Sequence, residues 1–264
     1  MNRIAVVLAA AALAGCAATP PAPTPTARFE LAPTGTLRVA VFTGNPVIGS
    51  KDASSGELRG TTVRLGRELA ASAGVPVKLI EYTAVAKMVE DAKAHVWDVA
   101  VVAFDPARRG VIDFAPPHLV VDLTYLVAPG SKIRNVAEAD RPGVRIAAAR
   151  GAATTLYLER TLKQAKVAPA ENEPAAFALL RSGKAQAYAQ NRYMLLGLAA
   201  SLPGARVLED RFSAAEMCIV LPKGRPAALD YVGIFVDHAK ASGAVARAIE
   251  SSGLRGVNVA PVAR

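Results

Sequence analysis

Beyond Leu37 the chain alternates short apolar, β-branched runs with stretches whose apolar residues recur every three to four positions. Continuous or period-2 apolar runs bury strands, and the longer period buries one face of a helix. The alternation therefore predicts an α/β fold with parallel strands. Strands are expected at 37–42, 77–82, 99–102, 125–127, 145–149, 186–190 and 217–221. Between the second and third of these, Val85, Met88, Val89 and Ala92 place one apolar stripe against a sheet, with Thr83 as the expected N-cap. A later helix is expected over 174–182, with Pro174 in its first turn, Phe177 and Leu180 inward and Gly183 at its exit. Two more use Leu229, Val232, Val236 and Ala239, then Val245 and Ile249, separated by Gly243.

The first 36 residues follow another rule. Met1-Asn2-Arg3 is a short positive region, and residues 4–13 are apolar and uncharged, too short to span a bilayer permanently. Leu13-Ala14-Gly15-Cys16 then resembles the bacterial lipobox, which implies a signal peptide over 1–15, cleavage before Cys16 and diacylglycerol on its sulfur. Residues 16–36, rich in Pro, Ala and Thr, are expected to form an extended, lipid-anchored tether, reaching about 60 Å at ~3.1 Å per residue. Ala17 after the lipid site points to sorting toward the outer membrane, which sits uneasily with a tether too short to cross a periplasm.

Composition changes this picture little. The formal charge is +9, or +8 once Arg3 leaves with the signal peptide, but the Lys and Arg are scattered and no aromatic-interleaved basic run suggests nucleic acid. The balance favours an anionic ligand or reflects an arginine-rich composition. Of two cysteines, Cys16 is assigned to lipid and Cys218 lies in the apolar run Met217-Cys218-Ile219-Val220, so it reads as a buried hydrophobe and no disulfide is expected. His95, His118 and His238 are too scattered for a metal site or a triad, no Gly-rich phosphate loop appears, and no cofactor is expected.

Four segments, taken in order, carry a family resemblance. They are Leu37-Arg38-Val39-Ala40-Val41 with Pro46, and the stretch from Gly60 to Gly74. Then come Trp97-Asp98-Val99-Ala100-Val101-Val102, Asp105-Pro106-Ala107-Arg108 and Val111-Ile112-Asp113-Phe114-Ala115-Pro116-Pro117. The last is Gly143-Val144-Arg145-Ile146 with Gly151, Tyr157-Leu158 and 183–188. Together they resemble the family-3 extracellular solute-binding proteins, the periplasmic amino-acid type that serves ABC importers. The resemblance implies a two-lobed periplasmic-binding-protein-like fold, with two Rossmann-like lobes joined by two hinge strands. One lobe is residues 37–122 with 213–264, and the other is 123–212. The hinges are expected near Asp122-Leu123 and Phe212-Ser213.

By the same resemblance, Arg108 holds the ligand carboxylate through a planar two-bond fork, in a cleft whose closure excludes water. Asp105 stands where the family has Thr, and directly before Pro106 it also reads as an ordinary N-cap. Other positions depart from the pattern. Val101 and Ala103 replace hydroxyl residues, Ala153 replaces a Thr donor, and Val85 and Ile48 replace stacking aromatics. Asn191 stands where an Asp accepts the ligand ammonium. Arg150 and Arg192 are further candidates for the cleft and tilt the ligand toward an anion.

The functional expectation is a monomeric, lipid-anchored solute-binding protein. It captures a small anionic or zwitterionic carboxylate, an amino acid or organic acid, for ABC permease subunits. The rival is a cyclohexadienyl-dehydratase-like enzyme on the same fold, which needs a positioned acid, and Asp105 is the only acid in the ligand loop. A receptor sensor domain is a third possibility.

Overall fold

In the computed structural model of the chain, residues 20–251, 253 and 256–261 are described. The lipobox and Cys16 lie outside the described residues. The chain opens with α1 (Pro25–Leu31), β1 (Leu37–Phe42), the hairpin β2 (Ser50–Lys51) and β3 (Leu58–Arg59), α2 (Thr61–Ala73), β4 (Val77–Tyr82), α3 (Val85–Asp91) and β5 (Val99–Ala103). It continues through β6 (Ile112–Val127), β7 (Arg145–Ala149), α4 (Ala153–Thr161), β8 (Lys166–Ala170), α5 (Glu173–Arg181), β9 (Ala187–Asn191), α6 (Arg192–Ala199) and β10 (Arg206–Val207). The last elements are β11 (Ser213–Pro222), α7 (Pro226–Ala241), α8 (Ala244–Glu250) and β12 (Val257–Val259).

The principal strands follow one path, β4-β1-β5-β11-β6-β9-β7-β8. At one end β4, β1 and β5 are parallel, and at the other β9, β7 and β8 are parallel. Antiparallel β6 and β11 join the two groups. The first part of β6 pairs with β11 and β12, and from Leu123 it pairs with β9 and β10, Leu123 itself facing both Ser213 and Asn191. Each parallel group packs its own core. On one side Leu37, Val39 and Val41 of β1, Leu65 and Leu69 of α2, and Trp97 are buried together. On the other, Ile146, Leu158 and Ala187 form one cluster, and Ala147, Leu180 and Tyr188 another. The protein is a two-lobed α/β structure.

Three local expectations are corrected. The extended tether does not reach residue 36, because α1 is a docked helix. Thr24 caps it by accepting from Ala27 N, Pro25 opens it, and Ala27 and Leu31, four residues apart, are both buried against the lobe that holds β1. Arg28 donates to the Gly74 carbonyl at 2.7 Å and Glu30 accepts from Ala228 N at 2.9 Å. Secondly, α3 is preceded by Ala84 at the N-cap, without a side-chain acceptor, and not by Thr83. Thirdly, the helix expected from Pro174 begins one residue earlier, at Glu173, because Asn172 takes the N-cap and accepts from Ala175 N.

Beneath the lobe that holds β1, at the edge where its parallel strands begin, Asp98 is fully buried. It receives Arg38 through its backbone N and a two-bond fork, and Arg225 through a further bond at 2.9 Å. A buried charge survives only when its lone pairs are this fully occupied.

His118 on β6 has no such help. It is fully buried, neither ring nitrogen has a partner among the described residues, and desolvation, with Lys240 nearby, pushes its pKa down to about 3. The unfolded chain therefore binds a proton below its ordinary value near 6.5 that the folded chain refuses. This stability component is intact above pH 6.5 and is lost as pH falls toward 3, at up to about 1.4 kcal/mol per pH unit. Chemical denaturation at pH 7 and pH 5 is expected to show that loss, and His118→Leu to reduce it by about 2 kcal/mol.

Candidate functional site

In open α/β sheets, ligands sit outside the carboxyl ends of the strands, where loops diverge. Here the carboxyl ends of both parallel groups face one cleft. A cavity of about 60 Å³ lies in it, lined by Phe42 at the end of β1, Ala103 at the end of β5, Ala152 to Thr154 after β7, Glu173 after β8 and Asn191 at the end of β9. At ~10–15 Å³ per water centre, this is space for only a handful of waters.

Arg108 is the cation of this cavity. It closes a 3₁₀ turn, Pro106–Arg108, that starts because Asp105 accepts from Ala107 N at 2.8 Å and Pro106 is preset for the first turn. Its side chain is only 6% exposed. One terminal nitrogen donates to the Ala103 carbonyl at 2.9 Å and the other crosses the cleft to the Gly151 carbonyl at 2.7 Å. Desolvation lowers its pKa to about 10, against a smaller opposing effect from the Asp105 charge. No described carboxylate forms a hydrogen bond to it, so the guanidinium is a dehydrated cation held by carbonyl dipoles.

Of the residues singled out by sequence, Ile48, Val85, Arg108, Ala153 and Asn191 line the cavity together, as do Val101 and Ala103. Ala153 opens α4, whose N-cap Ala152 offers no side-chain acceptor, so its first-turn N–H groups remain available beside Arg108. Asn191 caps α6, its Oδ1 accepting from Met194 N at 2.9 Å, while its Nδ2 donates to Gln190 Oε1 at 3.3 Å.

Three candidates are elsewhere. Asp105 is 2% exposed but does not line the cavity; its carboxylate is divided between Ala107 N and Arg160 of α4, the latter at 2.9 Å. Arg150 is exposed and lines a separate outer cleft with Ala84, Ala86 and Glu171, because the turn at Gly151 directs it away. Arg192 is used up at the lobe junction, donating to the carbonyls of Leu208, Glu209 and Asp210 and lying 3.6 Å from Asp122.

Phe42, Thr154, Gln190 and Glu173 were missed. Phe42 supplies an aromatic wall where Val85 and Ile48 give none. Glu173 had a signal: Asn172-Glu173-Pro174 is an N-cap followed by a first-turn acid and proline. Burial raises the Glu173 pKa above its ordinary value, against a smaller lowering by its own backbone N–H.

Residues 37–252 match the family described as bacterial extracellular solute-binding proteins, family 3. The chain belongs to that family. It is similar to the ABC transporter glutamine-binding protein GlnH of Bacillus subtilis (strain 168), 23% identical over 207 residues, 77% of this chain and 76% of that protein. Among solved structures, it resembles the ancestral amino-acid-binding protein AncCDT-1, described as a precursor of cyclohexadienyl dehydratase. The TM-score is 0.72 at 23% identity, covering 85% of this chain and 97% of that one. A binding component of an ABC transporter from Wolinella succinogenes DSM 1740, solved with lysine, gives a TM-score of 0.72 at 22% identity, covering 83% and 95%.

In this family-3 protein two polar contacts cross the cleft near the cavity, Arg108 to Gly151 and Arg160 to Asp105. Arg160 is 47% exposed, so its pair contributes no more than about 1 kcal/mol. Arg160→Ala is expected to leave the fold intact and increase the radius of gyration measured by small-angle X-ray scattering. An unchanged radius means that the pair does not hold the lobes together.

Proposed function

We propose that this protein captures an amino acid between its lobes, with the carboxylate on Arg108, and presents it to the membrane subunits of an ABC importer without converting it. The observation that carries the reading is the Arg108 guanidinium, buried at the cavity between the lobes with carbonyl partners only. A carboxylate there gains a charge-assisted pair in a dehydrated site and can add the first-turn N–H groups of α4. Two similar proteins named above are described with glutamine and lysine, which supports an amino acid over a general organic acid. So does the loss of Arg150 and Arg192 from the cavity, since they were the reason to favour a more anionic ligand.

The lobes in this proposal are residues 37–122 with 213–264, and 123–212, hinged near Asp122-Leu123 and Phe212-Ser213. The switch of β6 partners at Leu123 supports that division. Asp122, paired with both Arg192 and Arg211, then belongs to the hinge. Because the cavity is small, ligand entry requires the lobes to part.

A thermal-shift screen of amino acids, dicarboxylates and aromatic acids identifies the ligand, since specific binding raises apparent stability by mass action. Breaking a buried charge-assisted pair costs about 2 to 5 kcal/mol, so Arg108→Ala is expected to weaken binding about thirtyfold or more in isothermal titration. Unchanged affinity removes Arg108 from the site and this reading with it. Glu173 puts a carboxyl group on the cavity, so turnover is checked directly. Prephenate-like acids incubated with catalytic amounts of protein are expected to give no aromatic keto-acid absorbance, and sustained conversion transfers the reading to a dehydratase-like enzyme.

The proposal includes a lipid anchor on Cys16 that holds the protein in the cell envelope, supported by Leu13-Ala14-Gly15-Cys16. Cell fractionation of Cys16→Ser is expected to move the protein from the membrane to the soluble fraction, and continued membrane association excludes the anchor.

A further inference from the structure

The cavity between the lobes is dipolar. Among the described residues, Arg108 is the only basic residue lining it and Glu173 the only acidic one. They come from different lobes and different strand ends, and no ion pair joins them among the described residues. Glu173 is the second carboxyl candidate of the cleft after Asp105, but the two differ in what surrounds them. Asp105 is satisfied by Arg160 and a backbone N–H, whereas no described cation forms an ion pair or hydrogen bond with Glu173.

The two charges also differ in depth. Arg108 and Asn191 line the inner cavity and neither of the two outer clefts that adjoin it. Glu173 lines that cavity and both outer clefts that adjoin it, one beside Ala84 and Arg150, the other beside Thr43, Phe177 and Tyr188. It therefore stands where the inner cavity opens outward. This opening is the outlet available to the far end of a ligand whose carboxylate is fixed by Arg108. The basic residues of those outer clefts do not neutralise Glu173: Arg150 is exposed, and Arg181 lies over the Phe177 ring, 5.9 Å from its centroid.

We infer that Glu173 is a specificity-determining residue, the counter-ion for a cationic group at the far end of the ligand, so that the preferred ligand is a basic amino acid or a similar acid with a terminal amine or guanidinium. The inference rests on the capture of a carboxylate by Arg108 and adds the second contact. Burial that penalises an unpaired Glu173 carboxylate, expressed in its raised pKa, acts in the same direction, because a ligand cation relieves it. The carboxylate position expected by sequence to bind an ammonium is occupied by Asn191, whose amide oxygen is committed to capping α6.

The test uses two pairs of probes that differ only at the far end: L-arginine against L-citrulline, and L-lysine against L-norleucine. Isothermal titration of the full mature chain is expected to give at least a tenfold preference for the cationic member of a pair. Glu173→Gln, which keeps the size of the side chain and its place in the first turn of α5, is expected to erase that preference while changing the affinity for the neutral member less than threefold. Glu173→Asp is expected to retain part of it. Equal binding of the cationic and neutral probes, or a preference that survives in Glu173→Gln, overturns the inference while leaving capture by Arg108 standing. Binding of none of the four overturns the inference, and a silent wider screen then removes the capture reading as well.

Discussion

Everything in this structure hangs on one ribbon, the antiparallel pairing of β6 with β11. The sixteen residues of β6 run from one lobe into the other, pairing with β11 as far as Leu123 and with β9 from Leu123 onward. Pro116 and Pro117 sit inside this strand, where they cannot donate to a ladder. The pairing tolerates them through register irregularities at Met217/Cys218 and Cys218/Val220. Irregular pairing of this kind bends and twists a ribbon. Two separately packed cores joined by such a ribbon and little else have one soft coordinate, the angle between the lobes, and the cleft lies along it.

The second constraint is electrostatic. Removing a guanidinium from water is costly unless its donors are satisfied, and Arg108 is satisfied by carbonyls from both sides of the cleft. Its hydrogen bond to Gly151 makes the state of the site and the angle between the lobes one variable. A carboxylate ligand that takes over the guanidinium competes with Gly151 for Arg108 while offering its own contacts to the opposite lobe. Asp105 lends Arg108 long-range support without filling its fork, since the carboxylate is already divided between a helix cap and Arg160. That division explains why an acid three residues from Arg108 does not quench its charge.

How much of this was legible in the sequence follows from how local the cause was. β1, β4 and β7 were bounded to the residue because each is a short run with a regular share of apolar or β-branched positions, closed by turn chemistry. Only residues 125–127 of β6 were expected, since two prolines mark a loop unless a partner strand bulges around them. β8 was missed altogether because Pro169 argues against a strand, yet β8 is the terminal strand of its sheet, where a missing donor costs nothing. In the site, the cavity-lining residues that a motif or strand end locates, Arg108, Asn191, Ala153, Val85 and Ile48, were singled out. Glu173 was not, because it enters the cavity through the pairing of β8 with β7, a long-range fact that no local pattern carries. The direction of an arginine side chain is equally non-local, which is why Arg150 and Arg192 were candidates for a cavity that neither lines.

The docked helix α1 changes what a lipid anchor at Cys16 would do. With residues 25–31 packed on the domain, only the eight residues 17–24 would separate a lipid on Cys16 from it. The attachment point also has a direction. Arg28 reaches the carbonyl of Gly74, just before β4 begins, and Glu30 reaches Ala228, just after β11 ends. Because β11 runs antiparallel to β5, both contacts lie at the edge where the parallel strands start. The cleft lies at the opposite edge, beyond their carboxyl ends. A chain anchored through α1 therefore keeps the domain close to the membrane with its ligand cleft turned away from the attachment, a geometry imposed by which end of a parallel sheet the helix happens to cap.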